Sequence, residues 1–140
     1  AQLRAEGATR ILLIVPKPLS GQWREELFTL FGVVAREVVV EARAFDGEGV
    51  FIVGREAAGT PAISGLIASY EPFDLCVIDE AHELFGGLHK RYDASGLEKT
   101  ESTHAKTAAR IREVIAGTPT LLLTATPMQN SLDELWSLVP

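Results

Sequence analysis

A single cysteine, a single methionine and no apolar run of bilayer-spanning length are the first features of this 140-residue chain. One cysteine, Cys76, cannot close an internal disulfide, so a reducing, intracellular setting is expected, with Cys76 as a small buried hydrophobe. Without a long uncharged apolar run there is no helical membrane span, and no membrane partner is expected. Positive charge is also short: 13 Lys and Arg face 19 Asp and Glu, a net charge of −6. That balance gives no bulk attraction for nucleic acid, so any such binding must rest on a local basic edge. The start, AQLRAEGATR, has neither an initiator methionine nor the apolar centre of a signal peptide, and suggests a piece of a longer protein. A Gly-Lys dipeptide is missing too, and with it the loop whose amides cradle phosphates and whose lysine reaches the β- and γ-phosphates. The nearest stretch, Gly54 to Thr60, carries Thr where the lysine belongs and reads as a turn and helix start.

What is present suits one soluble domain with a sizeable core: 46% hydrophobic and 23% charged residues are ordinary for a globular protein. Compact apolar runs at 11–15, 50–53, 75–78 and 121–123 read as strands, and the Val-rich segment 33–42 reads as mostly strand. Between them, Leu19, Trp23, Leu27, Leu30 and Phe31 recur at helical spacing, with Ser20 as the expected N-cap and Gly32 as the stop. Trp23 is assigned to the core rather than to base stacking, and Gln22 to a polar face. Further helices are expected over 60–70, 103–116 (ending at Gly117) and 132–138, with a Gly- and charge-rich loop over 85–102. Strands separated by helices, and apolar at every position, are the pattern of a parallel sheet with helices on both faces. In such α/β sheets ligands bind beyond the carboxyl ends of the strands, where PKPLSGQW, DEAH and TATPMQN stand.

The sharpest of these clusters is DLCVIDEAHELF, 74–85, in which an apolar run stops at Asp79, Glu80, Ala81 and His82. A buried strand that delivers an Asp-Glu pair fits a Walker B arrangement. Asp79 would hold Mg²⁺ through water, and Glu80 would orient or deprotonate the water that attacks a γ-phosphate. His82 is placed to sense the nucleotide state. The plainer reading is a solvated acidic helix start meeting the helix dipole. It accounts for the acids but not for the ordered tetrapeptide, which chance supplies in a chain this long at roughly the one-in-a-thousand level. His82-Glu83 also begins like a zinc-protease signature, but Gly86 stands where the second histidine is needed.

DEAH at 79–82 and LLLTATPMQN at 121–130 resemble motifs II and III of superfamily 2 helicases, and ILLIVPKPLSGQWREEL at 11–27 resembles motif Ia in its Swi/Snf-like form. The resemblance implies a three-layer RecA-like α/β fold and the ATP-binding lobe of a Swi/Snf-like translocase. Its implied cofactors are ATP and Mg²⁺, and its implied partners are double-stranded DNA and a second helicase lobe. It also implies that Asp79, Glu80 and His82 act at the nucleotide. Thr124 and Thr126 would couple nucleotide state to lobe movement, although Thr124 also reads as an ordinary cap before Pro127. Pro16, Lys17 and Ser20 would grip the nucleic-acid backbone, although Lys17 also reads as a surface lysine. The segment 51–59 departs from the Ser- or Thr-bearing motif Ib. The phosphate loop and the second lobe would lie outside 1–140, so this chain alone is expected to be inactive, with residues 1–6 the tail of the phosphate-loop helix. The strand lost with that loop would leave a sheet edge open to self-association. Two other readings stay open: the motor of another superfamily 2 member (an RNA helicase or restriction-enzyme subunit), and a non-enzymatic α/β interaction module.

Overall fold

A computed structural model describes residues 5–41, 43–85 and 103–125. Thr126, the expected helix over 132–138 and most of the expected loop over 85–102 lie outside the described residues. The described strands are β1 (Arg10–Val15), β2 (Ala35–Glu37), β3 (Gly49–Gly54), β4 (Leu75–Ile78) and β5 (Thr120–Leu122). They form one five-stranded sheet in the order β2-β3-β1-β4-β5, and every pairing is parallel. The described α-helices are α1 (Ser20–Phe31), α2 (Arg55–Ala58), α3 (Pro61–Ser69), α4 (Ala81–Phe85) and α5 (Thr103–Ile115).

Strand β1 shows why its sequence is apolar at every position. Leu12 and Ile14 point into one core with Phe45, Phe51, Ile63, Ile67 and Ile111, under α3 and α5. Ile11, Leu13 and Val15 point into the other core with Val50 and Ile52, under α1. Side chains alternate across a strand, so two covered faces require apolar residues at both phases. Burying each Leu or Ile fully contributes about 1.5–3 kcal/mol. Cys76 is fully buried on β4, and burial pushes its thiol up to about 12.

The helix boundaries follow local chemistry. Gly32 closes α1 in the left-handed region at φ 64°, with its amide and that of Val33 reaching back to the Phe28 and Leu27 carbonyls. Thr60 caps α3 by accepting from the Ile63 amide at 3.4 Å, and Pro61 occupies the first helical position, where no amide is needed.

The start of α1 departs from the sequence expectation. A 3₁₀ turn, Lys17–Leu19, leads directly into the helix, and Leu19 takes the cap position. Ser20 is the first helical residue; its hydroxyl is buried and makes no capping bond. Pro16 and Pro18 fix the backbone there, with the Leu19 amide donating to the Pro16 carbonyl at 2.9 Å, so no side-chain cap is required. The Val-rich segment is likewise strand only over Ala35–Glu37, with one more ladder bond from the Val38 amide to Ile52. β2 has a partner on one side alone, and Val39 and Val40 run past it into solvent. Phe85, expected to open the loop, instead ends α4.

The opposite, amino-terminal rim of the sheet is tied down by Asp74. One of its carboxylate oxygens accepts from the amides of Thr9 and Arg10, both at 2.8 Å. Those bonds, the Arg10 amide first, hold the Asp74 carboxyl below its ordinary range.

Candidate functional site at the carboxyl rim of the sheet

Because all strands run parallel, their carboxyl ends share one rim. β1 runs into Pro16 and Lys17, β3 into Arg55, β4 into Asp79 and Glu80, and β5 into Leu123 and Thr124. The motifs separated in sequence are therefore neighbours in space.

The tip of β4 is held by its ladder almost to the acids. The Asp79 amide donates to the Ile14 carbonyl at 2.9 Å. One residue on, Glu80 sits in the left-handed region at φ 49°, the sole non-glycine with positive φ among the described residues. A side chain there costs about 1–2 kcal/mol, and such strain concentrates at working sites. The turn it makes ends at Ala81, whose amide donates to the Leu123 carbonyl at 2.9 Å, while the Leu123 amide donates to Ile78 at 2.8 Å. The exit of β5 is thus laced to the strand, turn and helix that carry DEAH.

The side chains follow from this lacing. Asp79 is half-buried, and both carboxylate oxygens are occupied: one accepts from the Glu80 amide at 2.9 Å and the other from the Trp23 indole at 2.7 Å. The Nδ1 atom of His82 lies 3.2 Å from a Glu80 carboxylate oxygen and 2.5 Å from the Thr124 hydroxyl. The bond between His82 and Thr124 runs in the direction that the imidazole tautomer sets, because a hydroxyl can donate or accept. Arg55, with its side chain 12% exposed, donates to Glu83 at 2.7 Å and joins the end of β3 to α4.

The basic edge is more modest. Of Pro16, Lys17 and Ser20, only Lys17 is exposed; Pro16 and Ser20 are buried. The Lys17 stem runs over Gly54, where an added Cβ would stand 3.3 Å from the lysine Cδ. Its ammonium is paired with Glu37. Gln22 is exposed and donates to Glu26 one turn along, as a polar-face residue would.

Trp23, Arg55 and Glu37 were not legible as site residues in the sequence. For Trp23 the signal was present but ambiguous, because its spacing from Leu27 turns it toward the sheet, where a core role and a donor role coincide.

Mg²⁺ suits this donor set only as a water-bridged ion. Among the described residues no group of three or more His, Cys, Asp or Glu converges as a metal site. Each Asp79 oxygen accepts one N–H and keeps a lone pair, which fits the outer, water-mediated contact that Mg²⁺ favours when phosphates supply the remaining ligands.

The fold and rim define the chain as a RecA-like α/β lobe with an acidic tip on an inner strand. It superimposes on a SWI2/SNF2 ATPase core of Sulfolobus solfataricus, solved with double-stranded DNA, with a TM-score of 0.65 at 19% identity, over 98% of this chain and 26% of that one. In sequence it is 30% identical over 132 residues to YqhH of Bacillus subtilis strain 168, described as an uncharacterized ATP-dependent helicase, over 94% of this chain and 20% of that protein. It is 31% identical over 140 residues to the RNA polymerase-associated protein RapA of Stutzerimonas stutzeri A1501, over 95% of this chain and 14% of that protein. The likeness is thus to an ATP-dependent helicase and an RNA polymerase-associated protein in sequence and to a SWI2/SNF2 ATPase core in fold, and the chain spans a fifth or less of the curated relatives it matches. No family model matches it. No helix among the described residues is long and apolar enough to cross a membrane.

Proposed function

We infer that this chain is part of the motor of a Swi/Snf-like translocase, an ATP hydrolase that moves along double-stranded DNA. The observation that carries the reading is the convergence of Glu80 and Thr124 on His82, which links the acidic tip of β4 to the exit of β5. Similarity to ATP-dependent helicases, and to an ATPase core solved with duplex DNA, supports the same reading. Bound ATP and Mg²⁺ would supply the phosphoanhydride to be broken and its charge neutralisation.

The roles of this chain's residues follow from their positions. Asp79 would hold the waters of Mg²⁺. Glu80 would orient the attacking water and take its proton. His82, bonded to Thr124 and 3.2 Å from Glu80, would link the exit of β5 to the catalytic acid. Thr126, outside the described residues, would share that coupling role. Lys17 and the backbone around Pro16 and Ser20 would face a nucleic-acid phosphate, once Lys17 leaves Glu37. A phosphate loop, a second lobe and a further strand against β5 would come from elsewhere in a longer protein. Among the described residues β5 stands at an edge of the sheet, and such an edge left uncovered would favour self-association.

The test is ATP turnover in the complete protein that bears this chain, with and without duplex DNA. DNA-stimulated turnover that collapses in Glu80→Gln supports the reading. Turnover unchanged by Glu80→Gln would favour a scaffold role for the fold, and stimulation by RNA rather than duplex DNA would favour an RNA helicase.

A further inference from the structure

Helix α1 presents Ser20, Trp23 and Leu27 on one face at helical spacing, and Trp23 and Leu27 pack against the sheet. A phenylalanine would keep part of the Trp23 apolar contact but has no N–H. The indole N–H is spent on Asp79, 56 positions away, at 2.7 Å. The short distance is that of a bond to a charged acceptor. The second Asp79 oxygen is fixed by the Glu80 amide at 2.9 Å. Rotating the carboxylate about its own axis would break both bonds at once, so its remaining lone pairs point in one direction.

The same helix begins at Ser20, immediately after the turn that carries Lys17. The Asp79 backbone belongs to β4 and is bonded to Ile14 of β1, whereas its side chain belongs to α1 through the indole. A displacement of α1 against the sheet therefore reaches the carboxylate without moving the strand.

We propose that Trp23 is the positioning residue of Asp79: its indole N–H fixes the carboxylate for the waters of Mg²⁺ and ties that geometry to the helix that follows Lys17. The proposal rests on the reading of Asp79 as the Mg²⁺-side acid, and its test keeps the two separable.

In the complete protein, Mn²⁺ is titrated against a complex with a non-hydrolysable ATP analogue, and free Mn²⁺ is read by electron paramagnetic resonance. Trp23→Phe is expected to weaken Mn²⁺ binding about tenfold, the order found when a partner behind a metal ligand is lost. Duplex DNA is expected to shift Mn²⁺ affinity in the wild type and to lose that effect in Trp23→Phe. Unchanged Mn²⁺ affinity in Trp23→Phe, with Asp79→Asn still impaired, overturns the proposal and leaves Asp79 as the metal-side acid. Unchanged affinity in Asp79→Asn overturns that assignment and the proposal with it. A DNA effect that persists in Trp23→Phe overturns the link to α1. Should Trp23→Phe fail to fold, the Trp23 indole ¹H–¹⁵N resonance carries the test, read in the complete protein labelled with ¹⁵N over residues 1–140 alone and bearing Trp136→Phe. A shift on Asp79→Asn and on metal addition supports the proposal, and a fixed resonance overturns it.

Discussion

The Nδ1 atom of His82 and the hydroxyl of Thr124 stand 2.5 Å apart, joining residues 42 positions distant in sequence at the ends of adjacent parallel strands. Both side chains are half-buried, so the bond is shielded from water on most sides. The same nitrogen also lies 3.2 Å from a Glu80 carboxylate oxygen.

His82→Ala and Thr124→Ala are therefore expected to be non-additive. A double-mutant cycle on thermal stability should return a coupling of about 1 kcal/mol, the net worth of one such bond. In the complete protein, each substitution should reduce DNA stimulation of ATP turnover more than basal turnover. Simple additivity in the cycle would show that the contact is incidental.

Glu80 separates stability from activity. Glu80→Gln should leave the fold and nucleotide binding intact and slow hydrolysis by about 10²–10⁴-fold, the usual contribution of a general base. Glu80→Gly relieves the left-handed backbone at φ 49° and should raise stability by about 1 kcal/mol while also abolishing turnover. Urea unfolding of the two variants beside the wild type checks the first effect, and single-turnover hydrolysis checks the second.

Lys17 and Glu37 form an exposed pair, with side chains 68% and 30% exposed, so their attraction is worth at most about 1 kcal/mol. Glu37→Gln should free the ammonium and tighten duplex DNA binding by about two- to fivefold. Lys17→Ala should weaken binding and flatten its dependence on log salt by about one unit. A titration series across salt concentrations measures both. Opposite or absent shifts would remove Lys17 from the nucleic-acid edge.

Asp74 gives the fold a pH dependence of known sign. Its folded carboxyl is held below the ordinary range, chiefly by the Arg10 and Thr9 amides. The stabilisation is therefore complete above the unfolded carboxylate range and is lost as pH falls through the lower, folded value. Wild type should melt above Asp74→Asn at neutral pH, and the gap should close in acid. A gap that widens in acid would contradict the assignment.

Cys76 serves as an unfolding clock. Fully buried and with its thiol pushed up to about 12, it should resist alkylation at pH 8 in the native state and react once the sheet opens. Labelling rates across a denaturant series should follow global unfolding; rapid labelling of the native protein would mean that β4 opens locally.

Much of this was legible from the sequence because it rests on near-neighbour chemistry. ILLIV reads as a doubly covered strand since both of its phases are apolar, and Gly32 reads as a helix stop since only glycine takes a left-handed cap without cost. The acidic tip was legible for the same reason: an apolar run that ends in charge must reach a rim. What the sequence left open depended on pairings across the sheet. Trp23 could be assigned to the core, but its N–H could not be assigned to Asp79 before β1 and β4 were known to be adjacent. Ser20 was read as a cap by residue type, whereas Pro16 and Pro18 had already fixed the helix start. The Val-rich segment expressed its strand propensity only where β3 offered a partner.

Strand β1, the first of the described strands, lies between β3 and β4, both made later. During synthesis it emerges with two apolar faces and two unpaired backbone edges. At about 5–20 residues per second, the wait from Val15 to Gly54 lasts on the order of several seconds. Throughout that interval RILLIV is an apolar segment open to chaperone capture, and the ribosome's pace governs how long it stays so.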